Sequence, residues 1–276
     1  MIDAVLPRRT RLSRKVAGTR SDEQVVAANV DTVFLVMGLD GDFNLRRLER
    51  FLVMVSESGA APAVLLNKTD VATTLAERRA EVEGAAPGVP VLLLSARSGD
   101  GLAALAPHLR PAETVALVGS SGVGKSTLIN RLAGEERMAT REVRAGDDRG
   151  RHATSHRELV RLPGGALLID NPGVRELAPW SVGGSDSRGL GETFDDVVAL
   201  AADCRFRDCR HQGEPGCTVA ATIADGRLSA KRWRSYQGLA RELRHLEIRQ
   251  DEGAQRAEKQ RWRVIHKAAR DFRPRR

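Results

Sequence analysis

The stretch that decides the fold is Thr114–Thr127, TVALVGSSGVGKST. Five apolar-rich residues, Thr114 to Val118, read as a buried strand, and Ser126 to Leu132 reads as a helix. Between them Gly119 to Ser126 has the spacing G-x-x-x-x-G-K-S. A glycine-rich turn between strand and helix lets backbone N–H groups point at phosphate oxygens, and the helix N-terminus favours negative charge. Gly119, Ser120, Ser121, Gly122, Val123, Gly124, Lys125, Ser126 and Thr127 are therefore the candidate phosphate cradle. In it Lys125 would reach the β- and γ-phosphates and Ser126 would ligate Mg²⁺.

Outward from this loop, short apolar runs alternate with helical stretches. Thr32–Met37, Ala63–Leu66, Val91–Leu94, Glu158–Leu162 and Ala166–Ile169 read as further strands. Helices are expected over Asn44–Glu57, with an apolar stripe of Leu45, Leu48, Phe51, Leu52 and Val55, over Val71–Glu83, and over Leu102–Leu109. Continuous apolar strands alternating with helices predict an α/β fold, a mostly parallel sheet covered on both faces. A Gly/Ser-rich linker is expected at Ser181–Gly191. A long charged helix is expected from about Ser229, apolar on one face through Trp233, Tyr236, Leu239, Leu243 and Leu246.

Two more loops identify the base. Asn67-Lys68-Thr69-Asp70 follows the strand Ala63–Leu66 directly. The Asp70 carboxylate can accept hydrogen bonds from guanine N1–H and the exocyclic amine, which adenine does not offer in that arrangement. Lys68 would lie along the base, and Asn67 would tie its loop to the base and to the phosphate loop. Ser95-Ala96 follows the strand Val91–Leu94, and its backbone N–H groups would meet the guanine carbonyl. These base loops precede the phosphate loop, the reverse of the usual GTPase order, so the chain reads as a circularly permuted P-loop GTPase domain. Permutation keeps a packed sheet while moving the termini.

Asp170-Asn-Pro-Gly173 follows the strand Ala166–Ile169. Asp170 is placed to hold Mg²⁺ and the Gly173 backbone N–H to bind the γ-phosphate. In the preceding segment Arg149–Ser155, Thr154 is the expected switch ligand to Mg²⁺, with Ser155 in reserve. Val174 stands where many GTPases place a glutamine, and a valine cannot position water. His152 is the candidate for that catalytic task.

All three cysteines lie in Cys204-R-F-R-D-Cys209-R-His211-Q-G-E-P-G-Cys217, spaced C-x₄-C-x-H-x₅-C. Three thiolates and one imidazole suit a closed tetrahedral Zn²⁺ site, one ion with a structural role. His108, His156, His245 and His266 show no ligand spacing and are expected at the surface.

The formal charge is +8, unevenly spread. Residues 1–20 hold six Lys/Arg against one acid, and residues 226–276 hold sixteen against six, leaving an acidic middle. Basic ends on an acidic body point to contact with a polyanion. The longest apolar stretch, Val33 to Leu39, is interrupted by Gly38. It falls well short of the roughly 18–20 residues of a membrane span, so no membrane association is expected. With three cysteines and no export signal in MIDAVLPRRTRLSRK, a reducing, cytoplasmic compartment is expected.

The succession NKTD, SARSGDGL, GSSGVGKST, GRHATS, DNPGVRE and C-x₄-C-x-H-x₅-C resembles the ribosome small subunit-dependent GTPase A family, over roughly Val5 to Arg270. The resemblance implies a permuted GTPase followed by a small α-helical zinc-binding domain. It also implies low hydrolysis of GTP to GDP alone, stimulated by the small (30S) ribosomal subunit and its rRNA late in assembly. It implies Zn²⁺ at Cys204, Cys209, His211 and Cys217. The chain departs from the pattern in two places. Members carry an N-terminal OB-fold barrel, whereas residues 1–24 match its tail at most, and Ala153 replaces a hydroxyl residue common in the family. The expected organisation is a basic arm or barrel remnant over 1–24, a GTPase domain over 25–182, and a zinc module with a basic helix over 183–276, acting as a monomer. A nucleotide-switched rRNA-binding scaffold with negligible hydrolysis is the rival reading.

Overall fold

A computed structural model of the chain describes residues 3–4, 7–16, 23–136, 158–170, 180 and 184–250. Two strands, β1 (Arg11–Lys15) and β2 (Glu23–Ala28), form an antiparallel pair. Six more build the main sheet: β3 (Thr32–Gly38), β4 (Ala61–Asn67), β5 (Val91–Leu93), β6 (Thr114–Val118), β7 (Glu158–Arg161) and β8 (Leu167–Asp170). Their order is β5-β4-β3-β6-β8-β7, parallel except for the edge strand β7.

Strand β3 shows why the sheet lies inside. All seven residues, TVFLVMG, are buried. Val33, Leu35 and Met37 enter one core and Phe34 and Val36 the other, as a two-residue period demands of a strand covered on both faces. Helix α1 (Leu45–Ser58) covers the first face with Leu48, Phe51, Leu52 and Val55. Its start is fixed by Asn44, whose Oδ1 accepts the Arg47 backbone N–H at 3.1 Å. Helix α2 (Leu75–Ala85) adds Val82 to that core. Helix α3 (Lys125–Ala133) covers the second face with Leu128 and Ile129.

From β3 the chain steps outward through β4 to β5, then returns to the other flank of β3 with β6. The reversal opens a crevice at the carboxyl ends of β3 and β6, the place where open α/β sheets bind ligands.

The remaining helices are α4 (Arg188–Thr193), α5 (Asp195–Ala202), α6 (Thr218–Ala224) and α7 (Ala230–Gln250). They share a third core of Leu190, Phe194, Val197, Val219, Leu228, Leu239 and Leu243, into which α1 inserts Val53. Helix α1 is thus buried on two sides. Among the described residues no helix is long and apolar enough to cross a membrane.

The structure differs from the sequence reading in four places. Residues 11–15, expected within a basic arm or barrel remnant, form a strand paired with β2, which crosses the expected boundary at position 24, and Leu12 is 1% exposed beneath α1. Beside the backbone ladder the pair carries polar side-chain contacts, Ser13 to Glu23 at 2.6 Å and Arg14 to Gln24 at 2.8 Å, which leave little apolar signal in β1. Part of the expected linker is ordered, with Ser187 capping α4. The helix expected from Val71 begins at Leu75, after a single 3₁₀ turn. His108 is half-buried edge-on to Phe34 at 5.8 Å, whereas His245 is exposed; His156 and His266 lie outside the described residues.

Helix α4 meets α1 at Gly189, whose backbone N–H donates to Glu57 Oε1 at 2.7 Å. A Cβ there would lie 2.3 Å from the Val53 carbonyl oxygen. Gly189→Ala should therefore push the helices apart and cost about 1–3 kcal/mol. Denaturant unfolding of the full chain measures this, and unchanged stability would contradict the close approach.

Candidate functional site

Five of the described strands deliver their carboxyl ends to one edge of the sheet, and the loops at 67–70, 95–96 and 119–126 meet there. The phosphate loop joins β6 to α3, so the unpaired N–H groups of the first α3 turn face it. Ser121 and Gly122 are exposed, Ser126 and Thr127 half-buried. Lys125 is 7% exposed, and its Nζ donates to the carbonyls of Gly119 at 2.8 Å and Ser120 at 2.6 Å. Burial pushes its ammonium down to about 8, against the pull of Asp170 and Asp42. Asp170, at the end of β8, is 2% exposed; burial raises its carboxyl and Lys125 opposes the rise. The crevice thus holds a buried cation and a buried carboxyl.

Asn67 is the junction of the loops. It is 2% exposed at the end of β4. Its Nδ2 donates to the Val123 carbonyl at 2.8 Å, and its Oδ1 accepts the Ala96 backbone N–H at 2.9 Å. One amide therefore joins positions 67–70, 119–126 and 95–96. Gly124 makes room for it: φ is +97°, and a Cβ there would lie 2.3 Å from Asn67 Nδ2.

Asp70 is exposed, with Oδ1 accepting the Ser95 hydroxyl at 2.7 Å. Ser95 is fully buried and also accepts the Ser98 backbone N–H at 3.1 Å, so Asp70 is aimed by a fixed partner. The Thr69 N–H donates to the Leu94 carbonyl at 3.3 Å. Arg131 of α3 donates to the carbonyls of Ala96 and Arg97, bracing the Ser95-Ala96 loop from the phosphate-loop helix.

Sequence reasoning missed the loop after β3. Its Leu39 N–H donates to the Asn67 carbonyl at 2.9 Å, and the Asp40 carboxylate accepts from Lys68 Nζ. Burial would raise the Asp40 carboxyl, but the Lys68 hydrogen bond and the Asp42 N–H leave it below its ordinary value. Arg47 donates to both Asp42 carboxylate oxygens, at 2.7 and 2.8 Å, and to the Ser120 hydroxyl. Acidic residues after a strand read as ordinary turn chemistry, so this loop carried no signal. His152, Thr154, Ser155, Gly173 and Val174 lie outside the described residues.

A second cluster stands apart in the helical region. The ligand atoms of Cys204, Cys209, His211 and Cys217 lie within 4.8 Å of one another. The Sγ atoms of Cys204 and Cys217 are each 3.5 Å from His211 Nδ1. A tetrahedral Zn²⁺ with ordinary bond lengths requires an N···S edge of about 3.6 Å, so these residues fit that ion. Desolvation, with the neighbouring thiols, pushes the Cys209 thiol up to about 11. Cys204 is held below its ordinary value despite desolvation, by the backbone N–H groups of Val219 and Thr218. Adjacent thiols that resist ionising together are a donor set suited to a cation.

A family model described as RsgA GTPase matches residues 5–180. A protein of Opitutus terrae named small ribosomal subunit biogenesis GTPase RsgA is 54% identical over 269 residues, covering 98% of this chain and 72% of its own. One of the same name from Methanosarcina acetivorans is 47% identical over 265 residues, covering 96% and 71%. The crystal structure of YjeQ from Thermotoga maritima superposes with a TM-score of 0.62 at 25% identity, over 88% of this chain and 78% of that one. YloQ, described as a circularly permuted GTPase, gives 0.58 at 25% identity over 88% and 74%.

Asn67→Ala leaves both buried partners, the Val123 carbonyl and the Ala96 N–H, without a hydrogen bond. The expected loss of stability is about 2–4 kcal/mol, read from denaturant unfolding. Unchanged stability would mean that the amide does not hold the loops.

Proposed function

The chain belongs to the RsgA GTPase family, and from that premise we propose a GTP hydrolase that acts on the small ribosomal subunit late in its maturation. Docking on the subunit raises its turnover. The observation that supports the site most is the single Asn67 amide bonded to both the phosphate loop and the Ser95-Ala96 loop. That junction holds the loop of Asp70 beside the glycine-rich loop, as a pocket that reads guanine with one and cradles phosphate with the other requires.

Asp70, oriented by Ser95, accepts from the guanine edge. The Ser95-Ala96 backbone N–H groups face the guanine carbonyl, and Lys68 lies along the ring. Lys125 leaves the Gly119 and Ser120 carbonyls for the β- and γ-phosphates. A phosphate is the better partner for a buried ammonium, because it brings a full negative charge into a site of low dielectric. The Ser126 hydroxyl and the buried Asp170 carboxylate are hard oxygen donors that fit Mg²⁺. When bound, Mg²⁺ offsets charge developing on the β- and γ-phosphate oxygens. Thr154 supplies a further oxygen, the Gly173 N–H holds the γ-phosphate, and His152 orients the attacking water.

Cys204, Cys209, His211 and Cys217 hold one structural Zn²⁺, all four ligands coming from the protein. The working division is a GTPase unit over 25–182, on which the strand from residues 1–24 packs, and a zinc module over 183–276. The exposed Lys231, Arg234, Arg241 and Arg244 of α7 meet rRNA phosphates, together with the basic ends of the chain. Such binding weakens steeply with salt. The protein works as a monomer in the cytoplasm, where ribosomal subunits mature.

GTP turnover with and without purified small subunits tests the reading: subunits should raise the rate, and a chain that binds GTP but gains nothing from them overturns it. Asp70→Asn should shift preference from GTP toward xanthosine triphosphate, read from competition binding, and unchanged selectivity would reassign the base loop. Cys209→Ser should purify without the roughly one zinc per chain expected of the wild type, and should unfold at lower temperature. Metal analysis showing no zinc in the wild type would remove the structural role.

A further inference from the structure

We propose that Arg232 of α7 is a positioning residue for the phosphate loop, acting through the first turns of α1. The inference rests on reading residues 119–126 as the phosphate loop and on no property of a partner.

The Arg232 side chain is 10% exposed. Its Nε and Nη2 both donate to the Asp196 carboxylate at 2.7 Å. Nη2 also donates to the Thr193 carbonyl at 2.9 Å, and Nη1 to Glu49 at 3.2 Å and the Ala85 carbonyl at 3.1 Å. Five acceptors thus occupy the five N–H donors of a guanidinium, which no other side chain possesses. One residue of α7 thereby joins α1, the end of α2, the last residue of α4 and the first turn of α5. Its Glu49 partner is 4% exposed and also accepts the Ser235 hydroxyl. One residue further along α1, Arg50 makes two hydrogen bonds of 2.7 Å to Glu242 of α7.

A buried ion pair is a poor device for stability, because desolvation consumes most of its attraction and an apolar pair would pack as well. What it supplies is a defined geometry between α1 and α7. That geometry matters because Arg47, two residues before Glu49, holds the Ser120 hydroxyl. Ser120 is also where nucleotide must act on the loop, since its carbonyl binds Lys125 in the structure. When Lys125 turns to phosphate, the loop exchanges contacts at the residue that α1 grips. Arg232 fixes the grip from the far side of the helix, so the helical module sets how readily the loop accepts phosphate.

The test uses the full chain and the fluorescent N-methylanthraniloyl derivative of GDP. Arg232→Lys, which keeps the charge but offers at most three donors, should weaken its binding by about fivefold or more. In an Arg47→Ala background the same change should have no further effect. A lowered unfolding temperature with unchanged affinity, or an effect equal in both backgrounds, overturns the proposal. Should Arg232→Lys fail to fold, the Arg50–Glu242 pair, about one-third exposed on each side, gives a milder route. Glu242→Arg should weaken binding, and adding Arg50→Glu should restore it; no restoration overturns the proposal. Lys125→Ala separates the premises: lost binding with an insensitive Arg232→Lys defeats this inference alone, and retained binding defeats the phosphate-loop reading as well.

Discussion

The arrangement of the site depends on one buried amide. Asn67 is 2% exposed, so both ends of its side chain must find partners inside the protein. The donor end takes a carbonyl fifty-six positions later in the chain, the acceptor end an N–H twenty-nine positions later. Those requirements bring the phosphate loop against β4 and force Gly124 to lack a side chain. They also explain how a rearranged chain keeps these loops together. The contacts are between loops and not between sequence neighbours, so the order in which the loops occur is immaterial provided the strands pack in the same order.

The charges at the crevice follow from the same burial. Lys125 and Asp170 are enclosed, and enclosure works against the charged form of each. Neither is satisfied as fully as it would be in water. Lys125 rests on two carbonyls of its own loop, neutral acceptors that a charged phosphate outcompetes. The outer parts of the site behave differently. Asp70 is exposed, and among the described residues its Oδ1 accepts the Ser95 hydroxyl, which leaves Oδ2 turned to no buried contact. The inner half of the crevice thus encloses its charged groups, and the outer half leaves its carboxylate open to solvent.

The parts of this structure legible in sequence are those written in local periodicity. Strand β3 is apolar throughout because both its faces are covered, and the phosphate loop combines strand, glycines and helix within fourteen residues. The illegible parts are written in pairs of polar residues far apart. Strand β1 offers only Leu12 to the core, and its side-chain contacts with β2 are polar. The contact of Asp40 with Lys68, and that of Arg47 with Ser120, span 28 and 73 positions, beyond any window of sequence. The stretch read as a linker was misleading for a related reason: Gly189 and Ser187 suit flexible chain, but here one allows close helix contact and the other caps α4.

The helical module makes the same point with aromatic rings. His211, one of the four clustered ligand residues, meets Trp233 edge-on at 5.3 Å. Trp233 stacks on Tyr236 at 5.6 Å, and Tyr236 meets Phe194 edge-on at 5.5 Å. The Arg232 guanidinium lies 4.8 Å over Phe194. The cluster and the buried charges of α1 are therefore the two ends of one packed series. Close packing transmits displacement because it leaves no slack to absorb it. A collapsed Cys/His loop would move Trp233 first, and the stack next to it would no longer hold Arg232 level with Glu49. The Cys/His cluster and the Arg232 guanidinium are thus joined through Trp233, Tyr236 and Phe194 by ring contacts alone.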